Sequence, residues 1–60
     1  MKIKIEINCD NAAFNDYPEF EISRILQELS RDIQGDFRDR KIVDFNGNVV
    51  GKFNIIGGKK

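Results

Sequence analysis

Cys9 is the strongest candidate nucleophile in this 60-residue chain, and nothing in the sequence activates it. Covalent catalysis by a thiol needs a neighbouring base or cation. The chain has no histidine, and Asp10 would set a like charge beside any thiolate at Cys9. Cys9 is therefore expected as a half-buried structural thiol at the end of a strand. Asp10 and Asp16, with Asn11 and Asn15 between them, carry the oxygen ligands that a calcium site would draw on. Their spacing is not that of an EF-hand loop, whose glycine and closing bidentate glutamate are missing. Turn and helix-cap duties account for these residues better. One thiol without an imidazole puts a four-ligand zinc site out of reach. Gly57-Gly58-Lys59 has no helix to follow it and cannot cradle a phosphate. No enzyme activity, catalytic residue, cofactor or metal is expected.

The elements that carry these residues follow from periodicity. Ile3, Ile5 and Ile7 alternate with Lys2, Lys4, Glu6 and Asn8, the period of a strand with one buried face. A polar loop from Cys9 to Tyr17 is expected to tuck Phe14 under the core. Ile22, Ile25, Leu26, Leu29 and Ile33 recur at helical spacing. Asp16 and Glu19 stand as in a capping box with Pro18 in the first turn, so the helix is expected from about Asp16 to Gly35. Gly35 reads as a left-handed stop. Strand two is expected at about 41–45 and strand three at about 49–56. A three-residue loop, Asn46 to Asn48, would place Val43, Phe45, Val49, Phe53 and Ile55 on the inner face. A bulge near Val50-Gly51 after a tighter turn would also rescue the phase. The expected fold is α+β, in the order β-α-β-β, with one helix packed on a three-stranded sheet. It forms a single domain over residues 1–56 with a flexible tail over 57–60. Strand one lies either beside strand three in the middle or parallel to strand two.

Composition narrows the function classes. A chain this short buries only about 60% of the surface its unfolded form exposes, so it needs a tight core or a partner. The lone thiol and the lack of a signal peptide lead us to expect a reducing cytoplasm. No apolar run approaches the roughly 20 residues that span a bilayer. The formal net charge is +0, which argues against a general polyanion binder. The charges are nonetheless sorted. Glu6, Asp10, Asp16, Glu19 and Glu21 occur with no base among them, whereas Arg38, Arg40, Lys41, Lys52, Lys59 and Lys60 crowd the last third. A two-ended molecule of this kind either orients a partner or simply gains solubility.

Two partner surfaces emerge. The outer sheet face is expected to display Lys2, Lys4, Ile42, Val50, Lys52, Asn54 and Ile56, more aliphatic surface than a solvated face requires. It offers no aromatic residue for stacking on bases, so a protein partner is favoured over nucleic acid. The second surface is the acidic segment Asp10, Asp16, Glu19 and Glu21, suited to a basic partner. One alternative is a nucleic-acid-binding domain using Lys2, Lys4, Lys52, Arg38, Arg40 and Lys41. Another is a homodimer built on sheet faces or edges.

Three segments carry a resemblance. They are Asp10-Asn11-Ala12-Ala13-Phe14, then Arg24-Ile25-Leu26 with Leu29, and Asp44-Phe45-Asn46-Gly47-Asn48-Val49-Val50-Gly51. Over roughly residues 3 to 55 the chain resembles a family of small uncharacterised phage and prophage proteins. It departs from the pattern at Phe45, where an aliphatic is expected, and in the Gly-Gly-Lys-Lys tail. The resemblance implies a mobile-element accessory protein acting in the host cytoplasm by binding a host protein, defence machinery included. It brings no established activity or site.

Overall fold

The computed structural model describes residues 1–57; the expected tail lies, from residue 58 on, outside the described residues. The alternating isoleucines form β1 (Lys2–Ile7), and a single 3-10 turn covers Ala12–Phe14. The apolar stripe forms α1 (Pro18–Gly35), and a hairpin follows as β2 (Arg40–Val43) and β3 (Val49–Ile56). The fold is α+β: one helix packs on a three-stranded antiparallel sheet of order β1-β3-β2. Strand three is thus central, the first of the two arrangements left open by the sequence.

Both helix ends differ from expectation. The helix starts at Pro18 and not at Asp16, and the Asp16–Glu19 capping box does not form. A residue before proline is disfavoured in the α region, and Tyr17 sits outside it as an N-cap without a side-chain hydrogen bond. Glu19 and Glu21 still lie in the first turn, where the helix dipole favours acids. At the other end Gly35 is the last helical residue and has no positive φ; only Gly47 and Gly57 do, among the described residues. The stop comes instead from Asp36, which turns extended while its N–H bonds Asp32 O at 2.9 Å. Arg40 Nη2 then donates to Asp36 O at 2.6 Å and reaches Asp32 O at 3.4 Å. A strand arginine supplies the positive charge that the last helical turn lacks.

The hairpin carries the largest correction. Val43 pairs with Val49 and Ile42 with Gly51, so Val50 is an extra residue on β3. This is a β-bulge, and the connection is the five-residue stretch Asp44–Asn48, not the three-residue loop. One inserted residue exchanges the faces of what lies beyond it. Ile42 and Val50, expected on the outer face, are buried in the core. Val43, Val49 and Phe45, expected inside, are exposed. The core comprises Ala13, Phe14, Ile25, Leu29, Ile42, Val50 and Phe53, with Ile7, Ile22, Ile33 and Ile55 packed against it. Phe14 is tucked under as expected.

The helix is placed over one side of the sheet. Ile25, Glu28, Leu29 and Asp32 border β2. The β1 side of the same face is left uncovered. Ile3 and Ile5 were expected to be buried, yet they remain 40% and 46% exposed. They still point to the core side, since they pair with Ile55 and Phe53.

The bulge brings β3 tightly against β1. A Cβ at Gly51 would collide with the Glu6 carbonyl oxygen and stand 2.8 Å from its carbonyl carbon. Gly51→Ala is therefore expected to destabilise the fold by about 1–3 kcal/mol or more, read as a lower urea midpoint. Gly35→Ala meets nothing within 4 Å. That helical substitution is expected to stabilise by up to about 1 kcal/mol.

Candidate protein-docking surfaces

The most distinctive surface stands where the helix N-terminus meets the β2–β3 connection. Pro18 fixes the first helical turn, which presents Tyr17 and Phe20 side by side with ring centroids 5.6 Å apart. Phe45 faces them from the connection. The three rings are 64%, 67% and 63% exposed and line one cleft of about 400 Å³ together with Asp16. Three large aromatic side chains left out of the core and gathered on one cleft make a patch.

Two buried carboxylates hold this cleft in shape. Glu21 accepts from Arg24 Nε at 2.8 Å and Arg24 Nη2 at 2.7 Å, and from the Phe45 N–H at 2.8 Å. It therefore ties α1 to the backbone that carries Phe45. Arg24 also pairs with Glu28 at 2.8 Å. The hydrogen bond from Arg24 holds the Glu21 carboxyl below its ordinary range against the opposing effect of burial, with the Phe45 N–H assisting. The same bond raises the Arg24 guanidinium further above its usual value.

Asp44 organises the connection itself. It accepts from the N–H groups of Asn46 and Asn48, both at 2.9 Å, and from Asn11 Nδ2 at 2.7 Å. Burial pushes its carboxyl up, but these bonds outweigh that effect and hold it below its ordinary range. Asn11 caps the 3-10 turn through its Oδ1, at 3.0 Å from the Ala13 N–H. Its two ends thus bridge the first loop to the hairpin, the turn-and-cap duty expected of the loop residues.

The acidic residues singled out from sequence do not converge. Asp16 lies on the rim of the aromatic cleft, and Glu21 lies beneath it, buried and paired. Glu21 is therefore corrected from a partner-binding residue to a structural one. Glu19 lies on the other flank of α1, in an open groove with Ile22 and Leu26. Asp10 lines a separate recess with Val49 and Val50. Cys9 is exposed and not half-buried, with its Sγ 3.9 Å from Ile7 O.

The outer sheet face is more basic than expected. Lys2, Lys4 and Glu6 pair with Ile56, Asn54 and Lys52, and Lys52 pairs on its other side with Lys41. Lys2, Lys4, Lys52 and Ile56 stand where expected. Ile42 and Val50 have left for the core, and Lys41, Val43 and Val49 take their place.

Sequence reasoning missed the aromatic cleft. The sequence places Phe45 on the inner face at the end of strand two and Phe20 at the N-terminal end of the apolar helical stripe, whereas both are exposed. The i,i+3 spacing of Tyr17 and Phe20 across Pro18 was the available signal. Comparison with protein-family models, with curated proteins and with solved structures returns no match.

The carboxylate network has a pH signature. Glu21 and Asp44 bind protons less readily when folded than at their ordinary values of 4.5 and 3.8. In the acid range the unfolded chain therefore binds more protons than the folded one, so stability rises with pH there. The contribution is complete above about pH 4.5 and is lost as pH falls through the lowered folded values. Urea melts between pH 7 and pH 2 are expected to show this fall. Glu21→Gln is expected to cost about 1–3 kcal/mol at pH 7 and to flatten the acid slope.

Proposed function

We propose that this chain is a non-enzymatic accessory protein of phage type. On this reading it acts in the host cytoplasm by docking on a host protein, with a defence factor as the intended target. The observation that carries this reading is the aromatic cleft of Tyr17, Phe20 and Phe45, braced from below by Glu21, Arg24 and Asp44. Protein interfaces concentrate their binding energy in a few aromatic anchors on rigid, desolvated patches. Such a patch costs little to order on binding, because its supports are already hydrogen-bonded. Asp16 on the rim selects a partner whose facing surface is basic. The resemblance to small phage proteins supports a host-directed role. A pull-down of tagged protein from nuclease-treated host lysate is expected to retain a protein partner. Phe20→Ala, at a residue outside the core, is expected to weaken that complex by about thirtyfold while leaving the thermal midpoint unchanged. Undiminished capture by a Tyr17→Ala/Phe20→Ala variant would remove the cleft from the interface.

One observation favours a second reading. Lys2, Lys4, Lys41 and Lys52 share the sheet face turned away from α1. A polyanion bound there would show affinity falling steeply with salt, and Lys41→Glu would reduce the salt slope by about one. Absence of binding to DNA or RNA at low salt would exclude this reading.

A further inference from the structure

We infer that the chain forms a two-fold symmetric dimer in which β1 pairs antiparallel with β1 of a second copy, in the register that sets Ile5 opposite Ile5. The surface used shares no residue with the aromatic cleft, so this inference and the docking reading succeed or fail separately.

The backbone supplies the first reason. β1 has β3 on one side only, and its six residues pair without a register shift. The Asn8 N–H bonds Val50 O at 2.7 Å and continues that ladder. In an antiparallel pair, bonded and non-bonded positions alternate. Lys2, Lys4 and Glu6 therefore turn their backbone groups to β3, and those of Ile3, Ile5 and Ile7 point to the open edge. The opposite edge of the sheet is different. β2 has four residues, is irregular between Ile42 and Val43, and is bordered by α1. Proteins blunt exposed edges by such devices. β1 carries neither proline nor bulge, and its charged residues Lys2, Lys4 and Glu6 alternate with isoleucines whose backbone groups stay open.

The side chains supply the second reason. Ile3 and Ile5 are on the core-side face but half out of the core, because α1 lies over β2. The flank of α1 turned away from β2 adds Ile22 and Leu26 beside an open groove. Pairing at β1 sets the two copies' isoleucines together on one face, with a helix standing on either side.

Strand length and charge select the register. Directly opposed residues share a face, so a two-fold pair must be centred on a residue. Centring on Ile7, the last residue of β1, leaves almost no strand to pair, and centring on Lys2 opposes Lys2 to itself. Centring on Ile3 opposes Lys2 to Lys4, centring on Lys4 opposes Lys4 to itself, and centring on Glu6 opposes Glu6 to itself. Centring on Ile5 opposes Lys4 to Glu6 in both directions and Ile3 to Ile7, with no like charges in register. Every outward N–H and C=O of Ile3, Ile5 and Ile7 then gains a partner.

Sedimentation velocity of the full chain across a concentration series is expected to show a monomer–dimer equilibrium. In a Cys9→Ser background, Ile5→Cys is expected to yield a disulfide-linked dimer on mild oxidation. Bonded antiparallel partners stand about 5.5 Å apart at Cα, inside the disulfide range of about 4.4–6.8 Å. Ile3→Cys is expected to stay uncrosslinked, since its copies would lie about 14 Å apart. Lys4→Glu is expected to weaken the dimer about tenfold, and adding Glu6→Lys to restore it. A concentration-independent monomer would overturn the inference. Cross-linking through Ile3→Cys but not Ile5→Cys, or no rescue by the charge exchange, would overturn the register.

Discussion

The extra residue at Val50 is the constraint from which the rest of the structure follows. Because Val50 has no opposite number on β2, the chain beyond it runs in the other phase. Ile42 and Val50 enter the core together and Val43 and Val49 leave it together. The same insertion lengthens the connection to Asp44–Asn48, whose backbone groups must be satisfied where no partner strand exists. Asp44 does this by accepting from the N–H groups of Asn46 and Asn48, and it becomes buried in doing so. The Phe45 N–H is left over, and Glu21 takes it. With its backbone turned to Glu21, Phe45 has no strand position to occupy, and its ring stands outside beside Tyr17 and Phe20. A bulge on one side of the sheet thus produces an aromatic cleft at the end of a helix.

The sequence made some of this legible and concealed the rest for physical reasons. The alternation of Ile3, Ile5 and Ile7 and the stripe from Ile22 to Ile33 each fit one period, and both elements form. The hairpin fits two. Ile42-Val43 and Val49-Val50 are adjacent apolar pairs, so either member of each can face inward without violating a two-residue period. The pattern therefore could not choose, and the tie is broken by polar chemistry that hydrophobic periodicity ignores. Asp44 binds N–H groups two and four residues ahead, and Gly51 alone tolerates the Glu6 carbonyl against it. At the helix ends local signals lost to neighbours. Pro18 barred Tyr17 from the helix and with it the Asp16 cap. Arg40, five residues beyond Gly35, satisfied carbonyls that a left-handed glycine would otherwise have closed.

Size explains why two apolar surfaces remain. A single helix of 18 residues covers only part of one sheet face. Ile25 and Leu29 are committed to the β2 side, and no described element covers Ile3 and Ile5. A domain of this length exposes a large share of its apolar surface whatever its fold, and the fold decides only where. Here part of the exposed share lies along a regular open edge (Ile3, Ile5) and part around a braced aromatic cleft, while Val43, Val49 and Ile56 stand on the outer sheet face. These are different kinds of surface. An edge offers unsatisfied backbone groups and so recognises another strand. The cleft offers rings on a fixed mount, a surface suited to side chains.

The charge distribution separates these surfaces further. Asp16 rims the cleft, while Lys2, Lys4, Lys41 and Lys52 occupy the sheet face turned away from α1. At low ionic strength such a division attracts positive charge toward the cleft side and repels it from the lysine face. That sorting cannot come from the core, which contains no lysine or acidic residue other than Glu21 and Asp44 among the described residues. Both of those acids serve the cleft from beneath, where their charge is already matched by Arg24 or spent on backbone N–H groups. The acid exposed at the cleft is therefore Asp16, and the buried carboxylates contribute rigidity in place of charge. Exposed acid gives the cleft its charge, and buried acid keeps the aromatic surface in shape.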